Sequence, residues 1–126
     1  MNGLMISRIV LGILVLLMAA LTIPAYFNPT FNPGLASLTG DSLSLGSVAG
    51  TFLGRQLTVL VIGAIGVIAG TRTLVCIGAF GLFFLNAHDA IFLGLFGGEM
   101  AGIVSGGVIA VISGIITYVA WRSKSA

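Results

Sequence analysis

Arg55, Asn86, His88 and Asp89 are the residues of this 126-residue chain best equipped for chemistry, and all four lie in stretches built from apolar side chains. The last three fall within four positions of the segment LFFLNAHDAIFL (82–93). An imidazole beside a carboxylate can carry a proton near neutral pH. A guanidinium can hold a carboxylate, or an anionic or carbonyl oxygen of a bound molecule, through parallel hydrogen bonds. The candidate catalytic groups are therefore Asp89 and His88 as acid or base, with Arg55 holding an anion or oxyanion. Thr51 and Thr58 share the helical face of Arg55, and Asn86 neighbours Asp89. The candidate ligand-binding set is Arg55, Asn86, His88, Asp89, Thr51 and Thr58, and Gln56 beside Arg55 can extend it.

These residues must be positioned by membrane-spanning helices. The chain is 58% hydrophobic and 6% charged, with a mean hydropathy of +1.22, whereas soluble domains carry about 25% charged residues. Its length accommodates four spans of about 20 residues with short connections. The hydrophobic pattern places them at 6–27, 46–70, 74–96 and 101–121, one transmembrane domain over 1–126. The expected fold class is all-α, an integral membrane four-helix transmembrane bundle. Span one could be mistaken for a signal peptide, but Ile23 spoils the small-x-small pattern before Ala25. The tandem Phe-Asn-Pro of FNPTFNPG breaks any helix after span one and predicts a structured interfacial loop.

Charge sets the expected orientation. Arg8, Arg72, Arg122 and Lys124 fall on one side of a four-span chain, and Asp41 and Glu99 on the other. The positive-inside rule then puts both termini in the cytoplasm. The net charge of +2 is small and dispersed, so no nucleic-acid partner is expected. Tyr118 and Trp121 suit the aromatic belt at a membrane interface. The lone Cys76 can form no intrachain disulfide and reads as a small packing residue. Gly46, Gly50 and Gly54, and then Gly94, Gly98, Gly102 and Gly106, repeat the GxxxG spacing. That spacing predicts close helix packing within the bundle first and a homodimer face second.

Arg55 lies 17 residues before Arg72, and Asp89 lies 17 residues after it. If spans two and three form an antiparallel hairpin about Arg72, both sit about 25 Å above the turn. In a hydrocarbon core about 30 Å thick that is its outer part. An ionised group at a helix centre costs about 2.5–3.5 kcal/mol, less near the ends, and each of these charges offsets the other. An Arg55–Asp89 ion pair holding the hairpin is the expectation. Around span three, Asn86 lies about 60° to one side of Asp89 and His88 about 100° to the other, so the two can line different crevices. Two readings of the cluster are open: a clamp that specifies helix pairing, and a site that handles protons or orients a ligand. Glu99, in the last turn, reads as solvated.

The sequence carries no His/Cys/Asp/Glu set with metal-ligand spacing, no phosphate-binding glycine loop, no GxSxG and no CxxC, so neither a metal nor another cofactor is expected. At GTFLGRQLTVLVIGAIGVIAG (50–70) followed by LNAHDAIFLG (85–94), the chain resembles the DoxX-like group of small four-helix membrane proteins. The shared features are an Arg opening span two after a small residue, an Arg-bearing turn and an Asp late in span three, here Arg55, Arg72 and Asp89. The resemblance implies the fold, and a setting in the bacterial cytoplasmic (inner) membrane. DoxX proper is associated with thiosulfate–quinone redox chemistry beside another subunit; no residue here identifies a quinone site, and that activity is not carried over.

Two functional classes follow. One is a non-catalytic bundle, embedded in the lipid bilayer, that binds a small apolar or lipid-like molecule, or serves as a membrane subunit beside a partner chain or a second copy. The other is a membrane-embedded enzyme or quinone-linked redox component using Asp89 or His88 as acid/base and Arg55 as oxyanion holder. A cavity opening beside Asp89 would separate them. Drug–proton antiport through a span-one acid is disfavoured, because span one has no acidic residue.

Overall fold

A computed structural model describes residues 1–124 and is helical, with no strand among the described residues. The helices are α1 (Gly3–Thr22), α2 (Val48–Ala69), α3 (Arg72–Leu95) and α4 (Met100–Arg122). All four are long and apolar enough to cross a membrane. The first ends earlier than its hydrophobic run, because Pro24 brings no N–H to continue the helical ladder, although Ile23 before it still has helical backbone. Pro24–Tyr26 continues instead as a 3-10 turn.

The helices run up and down around a ring, each packed on its sequence neighbours and α4 closing on α1, while α1 and α3 also touch across the middle. The buried stripe of α1 is Leu4, Ser7, Leu11, Leu14, Met18 and Thr22. Spacings of three and four residues keep such a stripe on one side of a helix crossing its neighbours at a shallow angle. Leu11, Leu14 and Met18 meet Leu60, Val75, Ala79, Leu82, Ile109 and Ile116 in the main core. The outward residues are equally apolar, Ile13, Leu16 and Leu17 among them, as lipid on the outside requires.

Glycines fix where the backbones touch. A methyl group on Gly78 would stand 3.0 Å from the Gly63 Cα, and one on Gly66 would stand 2.6 Å from the Leu74 carbonyl oxygen. The α2–α3 contact is therefore made at Gly63, Gly66 and Gly78. Gly102 and Gly106 do lie against their surroundings, and a methyl group on Gly106 would stand 3.3 Å from the Asn86 carbonyl oxygen. The other GxxxG positions do not make the close helix packing within the bundle that the spacing predicts first. Gly54 and Gly94 face open space, Gly50 only lets the chain fold back on Leu45, and Gly98 only accommodates Leu93. Spacing alone does not say which face of a helix meets a neighbour.

The two termini lie at one end of the bundle, where a methyl group on Gly3 would come 2.6 Å from the Ser123 hydroxyl. The basic residues there close helix ends. Arg8 donates from Nε to the Val67 carbonyl (2.6 Å) and from Nη2 to that of Ile68 (3.2 Å), at the C-terminus of α2. The guanidinium fits because Gly70, in the left-handed region at φ +66°, has no side chain in its way. Arg72 donates to the Ser123 carbonyl at the end of α4 (3.3 Å). Carbonyls at a helix C-terminus lack partners and carry partial negative charge, so cations there stabilise it.

The glycine contacts have a direct consequence. Gly66→Ala and Gly78→Ala are each expected to destabilise the bundle by about 1–3 kcal/mol through overpacking. Gly54→Ala should be neutral or slightly stabilising, since it trades glycine for a better helix former in open space. Thermal unfolding in one detergent reads all three, and equal losses at positions 54 and 78 would refute the assignment of the contact.

Candidate functional site

The end opposite the termini is capped by the segment between α1 and α2. Asn28 and Asn32, each followed by proline, open successive 3-10 turns by accepting from the backbone N–H two residues on, Thr30 and Gly34. Asn32 then does more than make a turn. Its side-chain nitrogen donates to Gln56 Oε1 (2.9 Å) and to the Leu21 carbonyl (3.3 Å). The same Gln56 oxygen accepts from the Thr22 hydroxyl (2.8 Å). Thr22, Asn32 and Gln56 are all buried, and together they tie α1, the loop and α2. Above them a small second core of Ala25, Leu35, Ala49 and Leu53 seats the loop. Phe27 and Phe31 stay exposed at its rim.

The charged cluster lies beside this layer, on α2 and α3. Arg55 Nη2 donates to both carboxylate oxygens of Asp89, at 3.1 Å and 3.3 Å. The pair matches the depth deduced from the hairpin, but its geometry differs from a two-nitrogen fork. One nitrogen serves both oxygens, and Nη1 and Nε have no hydrogen-bond partner among the described residues. His88 Nδ1 lies 3.0 Å from Asp89 Oδ1. The imidazole stacks on Phe92, ring centres 4.5 Å apart, and the Arg55 guanidinium sits 5.5 Å over the Phe52 ring. Side-chain exposure is 44% for Arg55, 43% for His88 and 14% for Asp89. The cluster is thus not enclosed by the bundle: the carboxylate is covered and its two partners reach the outer surface. The cause is angular. Leu53 and Gln56 take the inward side of α2, and Arg55, one residue from Gln56, is turned about 100° away.

Gln56 consequently belongs to the Thr22–Asn32 layer rather than to the charged cluster. Asn86 also points inward, is buried, and returns its amide to the Leu82 carbonyl one turn back (2.8 Å). Thr51 and Thr58 bond the carbonyls of Ser47 and Gly54 on their own helix and stay exposed beside Arg55. Glu99 is exposed at the start of α4. Cys76 is partly buried. Among the described residues no three His, Cys, Asp or Glu side chains converge to hold a metal.

Asp89 stands in a partition between two spaces. Inward is a cavity of about 30 Å³ bordered by Asn32, Gln56, Asn86, Asp89 and Ser105, room for one or two waters with polar partners. Outward is an open hollow of about 310 Å³ under the loop, bordered by Leu35, Leu38, Phe52, Arg55, Asp89 and Phe92. Phe52, Gly34 and Leu93 border both. Below the inner cavity lies the apolar core of Leu11, Leu14, Leu60 and Leu82, so the polar space is blind.

Sequence reasoning passed over Thr22 and Asn32, although the Asn of an Asn-Pro pair next to a span was a visible signal. It also passed over a row of rings on α3. Phe80, Phe84, His88, Phe92 and Phe96 follow one another at intervals of four and are all exposed. Phe80 and Phe84 are 6.2 Å apart, and Phe92 and Phe96 5.9 Å.

Compared with protein-family models, characterised proteins and solved structures, the chain matches none. The site itself carries the functional reading.

The ion pair can be weighed by a mutant cycle. Arg55→Leu and Asp89→Asn are each expected to lower the unfolding midpoint in detergent. The double variant should recover part of the summed loss, a coupling of about 0.5–3 kcal/mol, because a lone charge is costlier than none. Strict additivity would show that the two groups do not act as a pair.

Proposed function

We propose that this protein is a non-catalytic membrane bundle of the DoxX-like kind that holds a lipid-like molecule at Arg55, His88 and Asp89. One observation supports this above the others. Arg55 keeps two guanidinium nitrogens, Nη1 and Nε, unbonded on an exposed flank where three open hollows meet. Unpaired donors in or near hydrocarbon cost several kcal/mol each. An amphiphile with its polar head on that edge and its tail in the apolar surroundings satisfies both at once. A conducting path fits less well, since the inner cavity ends on the leucine core. In this reading the bundle lies in a bacterial cytoplasmic membrane with both termini on the cytoplasmic side, as the basic end of the molecule favours.

Native mass spectrometry of the protein released from its own membrane tests the ligand reading. A stoichiometric small molecule is expected on the wild type and at least tenfold less of it on Arg55→Leu. An empty wild-type bundle, or one carrying only a second protein chain, would overturn ligand binding and favour a subunit role. The orientation is checked by a membrane-impermeant maleimide. Thr39→Cys in a Cys76→Ala background should react in intact cells, and Ser123→Cys only after lysis.

The second reading, a membrane-embedded enzyme or quinone-linked redox component, draws on the His88–Asp89 contact. With Nδ1–H on the carboxylate, the imidazole keeps Nε2 free as a base, and Arg55 can hold an oxyanion. In that case His88→Gln leaves the bound molecule in place but changes its chemical form relative to the wild type, which the same mass measurement detects.

A further inference from the structure

Two buried amides beside the inner cavity are only half bonded. Gln56 is 7% exposed and Asn86 5%. Gln56 Oε1 accepts from the Thr22 hydroxyl and from Asn32 Nδ2, and Asn86 Nδ2 donates to the Leu82 carbonyl. These partners settle which end of each amide is which. Only the nitrogen of Asn86 can face a carbonyl. Asn32 Nδ2 also donates to the Leu21 carbonyl while Asn32 Oδ1 accepts from the Gly34 N–H, so only the oxygen of Gln56 can face that nitrogen. Left over are Gln56 Nε2 and Asn86 Oδ1, which have no partner among the described residues. Every fully enclosed side-chain nitrogen or oxygen among those residues is bonded, so these two atoms keep accessible surface. Both residues border the same cavity of about 30 Å³, and Asp89 borders it with them. A carboxylate offers about four acceptor sites. Asp89 Oδ1 is approached by Arg55 Nη2 and His88 Nδ1, but Oδ2 by Arg55 Nη2 alone. One site on Oδ2 is therefore open.

We infer that the inner cavity is a built water site, where one bound water accepts from Gln56 Nε2 and donates to Asn86 Oδ1 and Asp89 Oδ2. This stands apart from the ligand reading, since it concerns the other side of the carboxylate. The donor and acceptor set selects the occupant. The amide hydrogens of Gln56 repel a cation, and the Asn86 oxygen and Asp89 carboxylate repel an anion. An acyl chain would leave all three groups bare in an apolar surrounding. Water alone among common small species donates twice and accepts at once, and buried waters make about three such bonds. Size agrees. A water needs at least about 10–15 Å³ of this kind of space, so the cavity takes one and leaves room for a second against the Ser105 hydroxyl. The consequence is structural. The Thr22–Asn32–Gln56 layer and the charged cluster share no direct hydrogen bond. The water joins them, and it ties Asp89 through Gln56 and Asn32 to the loop.

The test uses the full chain twice. In crystals grown from a lipidic phase and ordered well enough to show waters, density is expected within about 3.2 Å of Gln56 Nε2, Asn86 Oδ1 and Asp89 Oδ2 together. In nanodiscs, nuclear magnetic resonance should show magnetisation passing from water to the Gln56 side-chain amide with the sign of a long-lived contact. Asn86→Leu removes one acceptor and brings apolar atoms to the cavity, while the Gln56 bonds to Thr22 and Asn32 stay; the transfer should disappear. Ser105→Leu fills the cavity from α4 and keeps all three bonding atoms, and the same loss is expected. Ser113→Ala, a buried site on α4 away from the cavity, should leave the transfer unchanged. A dry cavity, with neither density nor transfer, overturns the inference. So does density that touches Gln56 without reaching Asp89, or transfer that survives in both variants. Density ringed by oxygens alone, and strengthened by soaking in rubidium or caesium salt, would mark a cation and overturn it too. If Asn86→Leu fails to fold, the wild type and Ser105→Leu decide between these outcomes.

Discussion

A carboxylate in the outer part of a membrane helix is tolerable only when positive or donor groups reach it, and Asp89 is reached from two sides. Arg55 comes from the facing helix, and His88 from the preceding position of its own. That requirement propagates through the bundle. For Arg55 to arrive at the level of Asp89, α2 and α3 must be joined by a short turn and must stay in register. The register is held further down, where Gly63, Gly66 and Gly78 allow the two backbones to touch. The turn itself is closed by Gly70 and by the Arg8 guanidinium lying over it. A bulkier residue at Gly66 or Gly78 would part the helices and separate the charges above.

Polar groups elsewhere are handled by the same rule, with a different outcome. Thr22, Asn32 and Gln56 satisfy one another among three chain segments, and Asn86, Ser113 and Thr117 return their side chains to carbonyls of their own helices. No buried side-chain polar atom among the described residues is left without a partner. The bundle is therefore stratified. Basic side chains cap helix ends at the terminal end; a dry, glycine-tight leucine core follows; then comes a thin polar layer, and finally the loop and its small core. The blind inner cavity is a product of this layering, since each polar layer must be sealed by an apolar one for the backbone ladder to stay dry.

Much of this was legible in the chain. Four spans, the hairpin about Arg72 and the equal depth of Arg55 and Asp89 follow from counting apolar runs and residues at 1.5 Å each. Facing was harder. Gly46, Gly50 and Gly54 carry the same spacing as true contact glycines but look into open space or onto their own turn, because spacing repeats along every face of a helix and cannot select one. Gln56 and Arg55 are adjacent in sequence, yet they serve different networks because one residue is about 100° of rotation. Asn32 was visible as a turn former before proline, but not as a bridge between helices. A loop side chain docking between helices depends on where the loop folds, and no periodicity in the sequence carries that. The aromatic row from Phe80 to Phe96 was written plainly at intervals of four, but in a chain so rich in apolar residues it does not stand out until its exposure is known.

The strongest reason to treat the charged cluster as more than a fastening comes from inside the same molecule. The Thr22–Asn32–Gln56 layer shows what a polar clamp looks like here: neutral, buried and centred on one shared acceptor, the Gln56 side-chain oxygen. It already ties α1, α2 and the loop together without the penalty of burying charge. The Arg55–His88–Asp89 group departs from that pattern on each count. It is ionic, its two outer members are more than two-fifths exposed, and it keeps guanidinium donors in hand after Asp89 is satisfied. A clamp gains nothing from donors it does not use, and on a membrane flank they are a liability. They become an asset when the surrounding lipid phase supplies the acceptor. The proposed amphiphile would bring such an acceptor to the exposed flank where Arg55 borders open apolar hollows.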